Sequence, residues 1–164
     1  FVEASKILKK RNILVEMRLI GSIDKGNPTS IRYNQLQSWA TSNHVKILGF
    51  KNDIAKQYAA ANIVCLPSYR EGLPKSLIEA AACGRAVVTT DVPGCRSAII
   101  PNKTGLLVPV RDSVSLADAL QFLVENPSIR QKYGEEGRNL AENQFSIEKV
   151  VSAHLRLYRD VLEL

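Results

Sequence analysis

Residues 70 to 84 read Arg70-Glu71-Gly72-Leu73-Pro74-Lys75-Ser76-Leu77-Ile78-Glu79-Ala80-Ala81-Ala82-Cys83-Gly84, and they follow a short apolar run, residues 61 to 66, that stops at Pro67. An apolar run ended by proline and a polar stretch reads as a buried strand meeting its exit loop. Gly72 frees the loop backbone, Pro74 suits the first turn of a helix, and Gly84 suits the position just past its end. The stretch therefore predicts a strand, a loop and a helix start at one place, with the helix over 74 to 83.

The first turn of a helix carries N–H groups without intrahelical partners and the positive end of the dipole, which together suit a phosphate or a carboxylate. Lys75 and Ser76 fall in that turn, and two carboxylates flank it, Glu71 in the loop and Glu79 on the helix. A carboxylate accepts hydrogen bonds from vicinal hydroxyls, so the set suits a ligand with both sugar and phosphate parts. On these residues alone a plainer account stays open: Glu79 as a solvated helix residue beside Lys75, four positions earlier.

The stretch resembles the Glu-x7-Glu motif of glycosyltransferase family 4 (glycosyl transferases group 1), retaining enzymes built from two Rossmann-like domains, the GT-B fold. The likeness is carried by Glu71-Gly72-Leu73-Pro74, Glu79-Ala80 and Ala82-Cys83-Gly84. It extends through Leu66-Pro67-Ser68, Ala86-Val87-Val88, Asp91-Val92-Pro93-Gly94 and Gly105-Leu106-Leu107-Val108-Pro109, and so covers residues 45 to 164. As a set these motifs are far more specific than two glutamates.

Composition suits one domain over 1 to 164, and the resemblance implies that it binds a nucleotide sugar. A chain of 164 residues, 45% hydrophobic, can bury about 70% of its unfolded surface. Its apolar runs are far shorter than the roughly 20 residues that cross a bilayer as a helix. The formal charge of +6 is scattered; only Lys6, Lys9, Lys10 and Arg11 cluster, and few aromatics are present to stack bases, which argues against nucleic acid. Cys65, Cys83 and Cys95 lack metal-ligand spacing and read as reduced thiols. His44 and His154 lie far from each other and from the motif, and read as surface or satisfied core.

Along the chain, helices alternate with short apolar runs. Strands are expected over 13 to 20, 45 to 48, 63 to 66, 86 to 89 and 105 to 108, the fourth followed by a loop through Pro93-Gly94. Helices are expected over 1 to 10, 31 to 40 (Leu36 and Trp39 on one face) and 52 to 61. This alternation predicts an α/β fold: a Rossmann-like parallel sheet with helices on both faces. Loops at Gly21, Gly49, Pro67 and residues 89 to 93 then share one rim, where such sheets bind ligands. After Pro109 the chain turns helical, over 113 to 125, 127 to 133, 134 to 143 and 146 to 164, with a capping-box-like start at Ser115 to Asp118. The last helix is amphipathic through Val150, Val151, Leu155, Tyr158, Val161 and Leu162.

The resemblance implies roles for individual residues. Glu79 takes the ribose hydroxyls of a nucleotide, and Glu71, the candidate catalytic residue, faces the donor sugar near its anomeric carbon. Backbone N–H groups of Gly72, Leu73, Lys75, Ser76 and Leu77 take sugar hydroxyls or the diphosphate. Gly49, Phe50 and Lys51 border the base, with ordinary core an equal account of Phe50. Arg70 can balance phosphate charge or pair with Glu71; Ser68 can donate a hydroxyl or cap the loop; Asp91 is explained by turn formation. The implied reaction moves a sugar from a nucleotide diphosphate sugar, a UDP-sugar by subfamily likeness, to an acceptor with retention of configuration. A hexosyl- or N-acetylhexosaminyltransferase of bacterial surface polysaccharide synthesis is expected, with a saccharide or lipid-linked acceptor, in the cytoplasm or at the inner face of the plasma membrane. Ser97 stands where many relatives carry an acidic residue, which leaves sugar contacts by that loop open.

No cluster of Asp or His suits Mg²⁺, so no cofactor and no essential metal are expected. By the same likeness the chain is a fragment. A first strand bearing diphosphate contacts, and an N-terminal acceptor domain, are expected upstream of Phe1, so that the piece alone transfers little or nothing. Two alternatives carry over: a non-catalytic nucleotide-sugar-binding module, and a nucleotide-sugar epimerase of the same fold, which needs acid–base residues that only two glutamates supply here.

Overall fold

The computed structural model describes residues 1–24, 26, 27, 30–42 and 45–162. In chain order the elements are α1 (Val2–Lys10), β1 (Arg18–Ile20), α2 (Tyr33–Thr41), β2 (Lys46–Gly49), α3 (Ile54–Ala60), β3 (Ile63–Leu66), α4 (Lys75–Ala82), β4 (Ala86–Thr90), α5 (Pro93–Ala98), β5 (Gly105–Val108), α6 (Ser113–Glu125), α7 (Pro127–Gln144) and α8 (Ile147–Leu162). Every ladder is parallel, as short strands joined by helices require. β4 is central to the order β3-β4-β5 and buried along its whole length, which explains its apolar run Ala86-Val87-Val88. Successive residues serve opposite faces: Val88 joins a core with Leu8 of α1 and Leu120 and Leu123 of α6, while Val87 joins one with Tyr58, Leu77 and Cys95. The parallel sheet with helices on both faces and a helical ending is thus observed.

The sheet comes in two parts, however, because β1 pairs only with β2 and β3 only with β4. The strand expected over 13 to 20 is reduced to its last three residues. Its partner β2 spans only Lys46–Gly49, and beyond that register the Lys46 amide donating to the Met17 carbonyl is the final link.

Four further boundaries differ for local reasons. Pro93 opens a short helix, α5, where a loop was expected. The break expected at Gly134 is absent, since its missing side chain lets α7 lie against the Gly84 carbonyl, which a Cβ would strike. α6 is capped by Asp112 rather than by Ser115, its carboxylate accepting from the amides of Val114 and Ser115. α4 begins at Lys75, with Pro74 at the cap. Leu36 and Trp39 are the half-buried residues of α2, as their spacing predicts. Every residue of α8 is exposed, so its apolar stripe is uncovered, and His154 lies on this surface with its Nδ1 facing the Val150 carbonyl. His44, Pro28 and residues 163 and 164 lie outside the described residues.

Three features hold the loop after β3. The Thr89 hydroxyl donates to the Leu66 carbonyl at 2.7 Å, and the Thr90 hydroxyl donates to that of Ser68. Gly94 sits so close under the loop that a Cβ would collide with the carbonyls of Glu71 and Gly72. Overpacking of this kind costs about 1–3 kcal/mol. Gly94→Ala should therefore lower the melting temperature by several degrees, at roughly 2–4 °C per kcal/mol, and move amide NMR resonances of residues 70 to 76 most; shifts centred elsewhere would refute the clamp.

The capping bonds hold the Asp112 carboxyl below the ordinary carboxylate range, first through the Ser115 amide. A group depressed in the folded state stabilises fully above its unfolded value, about pH 4, and loses that contribution as pH falls through the folded one. The gap in melting temperature between wild type and Asp112→Ala should be widest near neutrality and close in acid; a gap independent of pH would contradict the cap.

Candidate functional site

The candidate site is built where β3 ends and α4 begins. No side chain caps α4, and Pro74, which has no N–H, stands at its cap with φ −73° and ψ 110°. Leu77 donates its amide to the Pro74 carbonyl at 3.1 Å. Among the described residues the amides of Gly72, Leu73, Lys75 and Ser76 have no protein acceptor, so four of the five expected donors are open and Leu77 is engaged. They lie at the positive end of the α4 dipole.

The side chains around these donors are similarly uncommitted. Glu71 is half-buried, and among the described residues it makes no ion pair or side-chain hydrogen bond, so the expected alternative of an Arg70–Glu71 pair does not form. Lys75 is exposed and, among the described residues, forms no ion pair with Glu79. Glu79, exposed on α4, instead accepts from the Tyr58 hydroxyl of α3 at 3.3 Å. Burial, and then the charge of Glu79, push the Tyr58 phenol up to about 12, so it stays a donor through the neutral range. Tyr58 stands 21 residues before Glu79, and nothing local in the sequence links the two.

The neighbouring rim is also defined. Tyr69, 61% exposed, lies under the Arg111 guanidinium, 5.0 Å from its ring centroid, an attraction between a cation and an aromatic face. A cavity of about 330 Å³ opens there, reached by Phe1, Pro67, Tyr69, Thr90 and Arg111. Sequence reading missed Arg111 as well as Tyr58, Thr89, Thr90 and Gly94; only the threonines carried a hint, as polar residues ending an apolar strand. Asp91 pairs with Arg96 of α5, and the Ser97 hydroxyl donates to the Pro93 carbonyl, so both serve local structure.

Gly49 ends β2 with φ 65° and accepts from the Gly21 amide at 3.0 Å, tying two rim loops together. Phe50 is 69% exposed, which corrects the core account of it and leaves a bare aromatic on the rim beside Lys51. The cavity beside Tyr69 does not include Glu71, Glu79 or residues 49 to 51, and a second, of about 580 Å³ beside β1 and β3, does not include them either and reaches the motif only at Ser76. All three cysteines are free, and burial pushes the Cys65 thiol up to about 12. Among the described residues no group of three or more His, Cys, Asp or Glu could hold a metal ion, and no helix is long and apolar enough to cross a membrane.

Comparison with known proteins gives the family of the chain and its fold. The chain is 32% identical to an N,N'-diacetylbacillosaminyl-diphospho-undecaprenol alpha-1,3-N-acetylgalactosaminyltransferase from Campylobacter jejuni, over 99% of its own length and 41% of the relative's. It is 28% identical to the capsular polysaccharide biosynthesis glycosyltransferase CapM of Staphylococcus aureus, over 88% of this chain and 38% of that one. The chain thus spans about two fifths of the length of these relatives. Among solved structures, a sucrose-phosphate synthase from Thermosynechococcus elongatus superposes with TM-score 0.87 at 27% identity, over 99% of this chain and 42% of the other. The C-terminal domain of a glycosyl transferase group 1 family protein from Francisella tularensis superposes with TM-score 0.76 at 26% identity, over 90% and 78%. The family described as glycosyl transferases group 1 matches residues 1–140, and the chain belongs to it.

Proposed function

We propose that this chain is the donor-binding domain of a retaining glycosyltransferase that moves a sugar from a nucleotide diphosphate sugar, a UDP-sugar, to an acceptor. The observation that carries the reading is the junction of β3 and α4: four open amides at a helix start, between a half-buried carboxylate without a partner, Glu71, and a second, Glu79, steered by Tyr58. In this reading Glu79 accepts from the ribose hydroxyls and the open amides receive the diphosphate or sugar oxygens. Glu71 lies on the sugar side.

The chemistry asked of such a site is electrostatic. As the glycosidic bond breaks, negative charge grows on the departing diphosphate while the sugar becomes oxocarbenium-like, and donors fixed at a helix start stabilise that charge without reorganising. Lys75 and Arg70, both without ion-pair partners among the described residues, add positive charge there. Phe50 and Lys51 border the base. The reading includes no protein-bound metal, a saccharide or lipid-linked acceptor held by a further domain, and bacterial surface polysaccharide synthesis in the cytoplasm or at the inner membrane face. Its support is the group 1 membership and the activities that the Campylobacter and Staphylococcus relatives are named for.

Titration with uridine, guanosine and adenosine diphosphate, followed by amide NMR, tests it. One nucleotide, expected to be uridine diphosphate, should shift residues 49 to 51 and 72 to 79. Hydrogen bonds to a charged group contribute about 1.5–3 kcal/mol, so Glu79→Ala should weaken binding roughly ten- to hundredfold. Tyr58→Phe, which removes a single neutral donor to that carboxylate, should weaken it about fivefold. Binding equal in wild type and Glu79→Ala would sink the assignment.

A further inference from the structure

Between β5 and α6 the backbone of Arg111 turns with φ 61°, in the left-handed region. Among the described residues the only other side chains in that region belong to asparagines, Asn12 and Asn102, which tolerate it. Glycine would make the turn without strain, whereas an arginine is strained there by more than an exposed cation over an aromatic ring returns. Both ends of the turn are fixed. The Val108 carbonyl accepts from the Asp91 amide at 2.8 Å, and the Asp112 carboxylate is engaged by the amides of Val114 and Ser115. Strain held in this way by its surroundings points to a role for the side chain beyond stability.

The pose of the guanidinium suggests that role. It lies over the Tyr69 ring, 5.0 Å from the centroid. A contact through its face uses none of its in-plane N–H groups, and among the described residues Arg111 forms no ion pair. Arg111 and the half-buried Ser113 line the rim cavity of about 330 Å³, a volume within the roughly 300–1,000 Å³ of small-ligand sites. The two carboxylates along it are engaged, that of Asp112 as the α6 cap and that of Glu3 by Lys6 at 2.7 Å. The cavity also reaches Leu116, on the face of the sheet that α1 and α6 cover, whereas Leu77 of α4 packs on the opposite face. It is therefore distinct from the open amides of α4.

We propose that Arg111, braced on Tyr69, forms with Ser113 a subsite for a phosphoryl group other than the donor's diphosphate. A planar guanidinium matches two phosphate oxygens at once, and a face already stacked on a ring keeps that fork in one orientation. The Ser113 hydroxyl supplies a further donor. The place of this subsite in transfer rests on the donor-binding reading: Tyr69 stands two residues before Glu71, so the subsite adjoins the sugar side, where an acceptor has to approach. The same fork reads a phosphate carried by the acceptor and a free phosphate.

The test titrates the 164-residue chain with inorganic pyrophosphate and with glucose 1-phosphate, each with and without excess uridine diphosphate, and follows amide NMR. Both anions should shift Tyr69, Val110, Arg111 and Ser113, and should do so with uridine diphosphate in excess. Tighter binding of glucose 1-phosphate assigns the subsite to a substituted phosphate, as on an acceptor, and tighter binding of pyrophosphate assigns it to the free anion. Arg111→Gly relieves the strained turn, so it should melt within about 3 °C of wild type while binding both anions at least about tenfold more weakly. Tyr69→Phe keeps the ring and should bind as wild type does. Anion binding unchanged in Arg111→Gly would overturn the proposal whatever that variant's melting temperature. Loss of both anions to uridine diphosphate at one shared site over 72 to 79 would also overturn it. If uridine diphosphate itself does not bind while pyrophosphate shifts the Arg111 amide, the subsite stands and the donor reading falls.

Discussion

The position of the candidate site depends on the contact between the end of β4 and the loop that leaves β3. Thr89 and Thr90 are buried polar residues on a strand that is otherwise apolar, and a buried hydroxyl without an acceptor is expensive. Both donate to carbonyls of the β3 exit, at Leu66 and Ser68, so satisfying them fixes the course of the loop. Gly94 then brings the start of α5 against the carbonyls of Glu71 and Gly72, an approach open only to a residue without a Cβ. N–H and C=O lie on opposite sides of a trans peptide, so carbonyls of Glu71 and Gly72 held against α5 turn the amides of Gly72 and Leu73 the other way.

That constraint also separates the two glutamates by kind. Glu71 belongs to the clamped loop, and its backbone is fixed while its carboxylate is left without a partner among the described residues. Glu79 is carried by a helix whose buried residues Leu77, Ala80 and Ala81 set its rotation, and its carboxylate is drawn towards α3 by Tyr58. A phenol held protonated by burial can orient a carboxylate without neutralising it, and leaves the second carboxylate oxygen open. Positioning of both acids therefore relies on residues outside the motif.

Much of the fold was legible because its signals are local. The apolar runs at β3, β4 and β5, the glycine after α4 and the spacing of Leu36 and Trp39 each express a short-range rule, and the structure follows them. What was not legible depends on distant partners. The extent of β1 is set by a strand 28 positions later in register, Arg18 opposite Lys46. Gly134 looks like a helix breaker until the Gly84 carbonyl is placed beneath it. In the site, the motif marked the helix start and both glutamates, whereas Tyr58, Arg111 and Gly94 act through contacts that no window of sequence contains. Only the core account of Phe50 failed, for the opposite reason: an aromatic after an apolar strand usually turns inward, and here Phe50 stands exposed after the Gly49 turn.

Under the proposed function, reliance on main-chain donors bears on how one arrangement can serve different substrates. Backbone amides at a helix start offer the same charge and geometry whatever side chains surround them, so a group common to many ligands, such as a diphosphate, can be held while the exposed side chains vary. Under the proposed function, discrimination between sugars then falls to groups beyond the common cradle. In this chain the exposed candidates beside it are Leu73, Tyr69 with Arg111 above its ring, and Ser97, whose hydroxyl is already turned back to Pro93. A residue so engaged is poorly placed to read a sugar hydroxyl, which shifts the weight of sugar recognition towards Glu71 and the loop it stands on.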